Sequence, residues 1–113
     1  MSKDMSYSKE NNKTILYFLD RKLFNHAIRY ASENGYFNAV KLLLVDSRVD
    51  PSDMNNYAIR IASDKGHTDI VQILLKDSRV NPAAMKNYAI KKAFLNRHVD
   101  VVRLLLTDSR ILM

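Results

Sequence analysis

The chain has no cysteine and no tryptophan, and only two glycines and two prolines in 113 residues. Without cysteine there are no disulfides and no thiolate metal sites, which suits a reducing compartment. The two glycines, Gly35 and Gly66, stand far apart and leave no glycine-rich loop to cradle a phosphate. No run of about 18 apolar residues occurs, so no membrane-spanning helix is expected. The opening MSKDMSYSKENNK is polar and lacks the apolar centre of a signal peptide. A soluble cytoplasmic protein is expected, with the nucleus also open to it. Catalytic chemistry is scarce as well. His26, His67 and His98 have no acidic or sulfur partner at ligand spacing, and the serines have no His–Asp constellation. No catalytic residue, metal site or cofactor is expected. His67 and His98 are expected instead to hydrogen-bond backbone where helices turn, and His26, in the place of Tyr57 and Tyr88, to be partly exposed.

What the chain does have is a repeated word. Asp46-Ser47-Arg48-Val49 returns as Asp77-Ser78-Arg79-Val80 and again as Asp108-Ser109-Arg110-Ile111, 31 positions apart each time. The match extends well beyond the word. Residues 26–51 and 57–82 agree at 14 of 26 positions, and residues 57–80 and 88–111 at 12 of 24, with no insertion between them. A fixed period of this length is the mark of a stacked repeat. At 47% apolar, the chain can pack one small domain.

Within each unit the apolar spacing is helical. In the middle copy, Ala58, Ile59 and Ala62 form a short stripe, Gly66 stops that helix, and His67 or Thr68 opens a second. Asp69 then sits near the positive end of that second helix, whose stripe is Ile70, Val71, Ile73, Leu74 and Leu75. Two helices this short are unstable alone. The period therefore implies antiparallel hairpins leaning on one another. Asp50-Pro51 and Asn81-Pro82 read as a helix cap followed by proline at the first helical position. The repeated Asp and Arg admit two readings: an ion-pair ladder between units, or a solvated turn.

The run Tyr57-Ala58-Ile59-Arg60-Ile61-Ala62-Ser63-Asp64-Lys65-Gly66-His67, continued by Ile70-Val71-Gln72-Ile73-Leu74-Leu75, resembles the ankyrin repeat. The resemblance covers roughly residues 25–111 and implies an all-α solenoid of stacked helix-turn-helix repeats. The expected units are about 25–55, 56–86 and 87–113, preceded by a capping helix over 14–24 and a disordered tail over 1–13. The variant is similar to arrays of large DNA viruses of protists and of amoebae, which would put a viral product in the host cytoplasm. The departures are a period of 31 in place of the usual 33, which shortens or removes the projecting finger, and Arg97 where Gly35 and Gly66 stand. Ile111, Leu112 and Met113 could fold back as a cap or mark a longer array.

The family's partner-binding positions, carried over residue by residue, are Tyr30, Glu33, Asn34, Phe37, Ile61, Asp64, Lys65, Lys92 and Leu95. Tyr30 and Phe37 are the expected anchors, since aromatics dominate binding hot spots. The alternative for each is neutral variation on a solvated face. The function implied is a non-catalytic protein-interaction module, monomeric and without membrane attachment. A different class is also open. The formal charge is +6, and Lys86, Lys91, Lys92, Arg97 and Arg103 face only Asp100 within that stretch. Weak binding of nucleic acid or of an acidic partner through the third unit would use this excess. A third possibility is a remnant with little activity of its own.

Overall fold

The computed structural model describes residues 12–111, so most of the expected tail lies outside the described residues. Seven helices and no strand occur among them. Helix α1 (Asn12–Asp20) leads into three hairpins: α2 (Phe24–Asn34) with α3 (Phe37–Leu44), α4 (Asp53–Lys65) with α5 (Thr68–Leu75), and α6 (Ala84–Leu95) with α7 (Val99–Leu106). The hairpins stack in chain order, first helix against first helix and second against second. The body is elongated, 47 × 23 × 18 Å.

The stacking is a matter of residue size. Ala27, Ala31, Ala58, Ala62, Ala89 and Ala93 line the first helices and are all buried, which lets neighbouring backbones approach. Ile28, Ile59 and Ile90 fill the space between, and Leu43, Leu74 and Leu105 close it from the second helices. Val49, Val80 and Ile111, the last residues of the repeated word, are buried too and seal each layer's edge. Ile15 on α1 is fully buried and covers the first layer. The expected capping element runs Asn12–Asp20 rather than 14–24. Lys22, at φ 61, turns the chain, and Phe24 opens α2. Thr14 lies inside α1.

Gly35 and Gly66 end their helices in the left-handed conformation, as their position implies, at φ 76 and 78. The amides of Tyr36, His67 and His98 then donate back to the carbonyls of Ala31, Ala62 and Ala93 at 2.8–2.9 Å. Arg97 keeps the same turn at φ 62, a conformation that costs a side-chain-bearing residue about 1–2 kcal/mol.

The prolines do not open helices. Asp50 Oδ1 accepts from the Ser52 amide at 2.9 Å and from its hydroxyl at 2.6 Å, while Asn81 Oδ1 accepts from the Ala83 amide at 3.0 Å. These are tight turns around Pro51 and Pro82. One left-handed turn comes after each, at Met54-Asn55-Asn56 and at Met85-Lys86-Asn87, before right-handed helix begins at Tyr57 and Tyr88. Arg60 holds the first of these turns, donating to the carbonyls of Asn55 and Met54 at 2.9 and 3.0 Å.

The repeated Asp and Arg form charged turns and not an ion-pair ladder between units. Each pair closes within its own turn: Asp46–Arg48, Asp77–Arg79 and Asp108–Arg110, all at 2.7 Å. The rung between layers is a different bond. Arg79 donates to the Val49 carbonyl at 2.9 Å, and Arg110 to that of Val80 at 2.6 Å. The Arg48 side-chain hydrogen bond is the chief cause that holds Asp46 down at about 2, and the matching arginine contact lowers Asp77 and Asp108. A carboxyl lowered by folding contributes stability that is complete above its unfolded value and lost as pH falls through its folded one. The urea midpoint is therefore expected to hold above about pH 5 and to fall between about pH 4 and pH 2. Asp77→Asn should flatten that fall; an unchanged acid limb would refute this origin for it.

Candidate functional site

Residues three and four apart share a helix face. Tyr30, Glu33 and Asn34 therefore lie along one strip of α2, Ile61, Asp64 and Lys65 along α4, and Lys92 and Leu95 along α6, with Asn96 capping its end. Because α2, α4 and α6 pack side by side, the strips form one row across the stack. Glu33, Asn34, Lys65 and Leu95 are exposed or half-exposed; Tyr30, Ile61, Asp64 and Lys92 are half-buried. The row is mixed in charge, with two carboxylates and two ammonium groups among its side chains.

Hydrogen bonds from one layer to the next hold the row in register. His67 Nε2 lies 2.9 Å from the Glu33 carbonyl, and His98 Nε2 lies 3.0 Å from that of Asp64. A carbonyl can only accept, so Nε2 carries the proton in both. The expected histidine–backbone bond is present, and it crosses between layers. Tyr57 donates its hydroxyl to Glu33 at 3.1 Å, and burial, then that bond, pushes the phenol's pKa up. Asn96 Nδ2 reaches both the Asp64 carbonyl at 3.0 Å and its carboxylate at 2.5 Å. Arg60 stands 5.6 Å from the Tyr57 ring centroid and 5.2 Å from that of Tyr88.

The two expected anchors sit differently from the rest. The Tyr30 ring packs edge-on against Phe18 of α1 at 5.6 Å and against Tyr36 at 5.9 Å. Phe37 is the first residue of α3, beyond the Gly35 turn, half-buried against the core. Both are tied into packing. The side chains most available to a partner are Glu33, Asn34, Lys65 and Leu95.

Residues 28–112 match the ankyrin-repeats family in three copies. The chain is an ankyrin-repeat protein. Ankyrin repeats are in general protein-interaction modules. No match was found among curated proteins or among solved structures. Among the described residues of this ankyrin-repeat protein, no helix is long and apolar enough to cross a membrane, and no group of three His, Cys, Asp or Glu side chains could hold a metal ion.

Two features of the ankyrin stack escaped the sequence reading. Asn25 Oδ1 accepts from the Asp50 amide at 2.7 Å, and Asn56 Oδ1 from the Asn81 amide at 2.8 Å, so each asparagine clasps the entrance of the next unit. The recurrence of Asn25, Asn56 and Asn87 at one repeat interval was the available signal. The second is Phe94. It occupies the place of Ser32 and Ser63, which are fully buried, yet it is 71% exposed.

Proposed function

We propose that this ankyrin-repeat protein binds a protein partner along the row formed by α2, α4 and α6, with no catalytic step of its own. The observation that carries the reading is a contrast inside each helix. The packing positions repeat as Ala27/Ala58/Ala89, Ile28/Ile59/Ile90 and Ala31/Ala62/Ala93, while the row positions beside them change in every unit: Tyr30/Ile61/Lys92 and Glu33/Asp64/Leu95. A constant frame carrying a variable face suits selective recognition of a partner. The similarity to viral and amoebal arrays extends the proposal to a host protein as that partner.

The test uses two row residues, the exposed Lys65 and the half-buried Ile61. Partners captured by proximity labelling with the wild-type chain are compared with those of the Ile61→Ser/Lys65→Glu double variant. Loss of the main partner by at least about tenfold, in a variant that a thermal melt shows to be folded at the assay temperature, is the expected result. Retention of every partner by a folded double variant would sink the proposal.

A further inference from the structure

The third layer ends in a surface unlike the two before it. At Gly35 a Cβ would lie 2.8 Å from the His67 ring, and at Gly66 one would lie 2.6 Å from the His98 ring. Each glycine therefore leaves the space into which the next unit's histidine fits. Arg97 fills that space in the third unit. Ser32 and Ser63 are fully buried, and the third unit puts a phenyl ring, Phe94, at that position. A fourth unit stacked in the same register would meet both obstructions.

The face is nevertheless apolar. Phe94, Leu95, Val99 and Val102, with His98 and Arg97, line a groove of about 580 Å³. Phe94 and Leu95 are 71% and 68% exposed, and Val99 is 54% exposed. Arg97 is the one arginine or lysine in the lining, and the third unit as a whole is cationic, with Lys86, Lys91, Arg97 and Arg103 exposed and Asp100 as the one acidic side chain outside the Asp108–Arg110 pair. A second copy of the chain would bring the same positive charge to this face and be repelled. Only one aromatic ring lines the groove besides the His98 imidazole, so it offers no series of stacking platforms for bases.

We propose that this groove docks an apolar segment of a partner protein flanked by a carboxylate, its apolar side chains on Phe94, Leu95, Val99 and Val102 and its acid on Arg97. The groove shares Leu95 with the row on the first helices, but Phe94 and Arg97, the residues that test it, lie outside that row, so its failure can be told apart from failure of the function proposed above.

The test pans a random peptide display library against the full chain. Peptides with paired apolar residues and a net negative charge are expected to be enriched. They should bind Phe94→Ser and Arg97→Glu at least about tenfold more weakly, and Ile61→Ser/Lys65→Glu with unchanged affinity. Thermal melts confirm that the variants remain folded; Phe94 is exposed, and Arg97→Glu changes the charge without changing the turn. Absence of enrichment, enrichment of basic peptides, or binding indifferent to Phe94→Ser would each overturn the proposal. So would a concentration-dependent dimer abolished by Phe94→Ser, which would assign the face to a second copy. Retention of a single-stranded oligonucleotide at physiological salt that is lost with Arg97→Glu would overturn it in favour of nucleic acid.

Discussion

Replacing Gly66 by alanine is expected to destabilise the protein by about 3 kcal/mol. Two costs combine. Gly66 sits at φ 78, where a Cβ meets its own backbone, at about 1–2 kcal/mol. The same Cβ would lie 2.6 Å from His98 Nδ1 and 2.7 Å from Cε1, inside van der Waals contact. His98 cannot move away freely, because its Nε2 is fixed to the Asp64 carbonyl. Separating the two costs needs a double-mutant cycle with His98→Ala. The double variant should be more stable than the sum of the single losses predicts, leaving mainly the backbone term. Arg97→Gly is the counterpart: it removes left-handed strain where no His ring is displaced, and should raise the urea midpoint. Simple additivity between Gly66→Ala and His98→Ala would show that the glycine is needed for its backbone alone.

That pairing also marks where sequence reading stopped. The repeat, its hairpin form and its glycine stops were legible because they lie within one unit and recur. So was the histidine–backbone bond in kind. The bonds that join units were less so. A helical stripe tells which side of Ile59 is buried but not which layer covers it. Arg79 reads equally well as a turn residue or an ion-pair rung; the structure pairs it within its turn and joins the layers through its bond to a carbonyl. The proline was misread because Asp50-Pro51 has the same look before a helix and before a turn. The turn leads into a left-handed stretch, Met54-Asn55-Asn56, and methionine carries no preference for that conformation. Of the candidate row, the variable positions were legible from the differences between units, but the packing of Tyr30 and Phe37 was not. Tyr30 is occupied by Phe18, a residue outside the repeat, so comparing repeats could not reveal it. Phe94 escaped for a related reason: its position is a packing position only where another unit stacks on it.

Leu74→Ala should cost about 3 kcal/mol, within the usual range for a buried leucine cut to alanine. Leu74 is fully buried in the middle layer, on a helix packed against the second helices of both neighbours. In a stack where each unit touches only its neighbours, stability is close to a sum of unit terms and interface terms. Opening the middle unit breaks two interfaces, so it cannot open alone. The variant should unfold in urea in a single transition at a much lower midpoint. Leu105 is equally buried, but in the third unit, where one interface joins it to the rest. Leu105→Ala removes the same side chain and should act differently. The third unit should open first, so that amide exchange in α6 and α7 accelerates well before that in α2 to α5. Leu106→Ala, at a half-exposed position, supplies the control and should cost well under about 1 kcal/mol. Equal midpoints and uniform exchange in the Leu74 and Leu105 variants would mean that the layers do not fold as coupled neighbours, and the link between the repeat and the stack would fail.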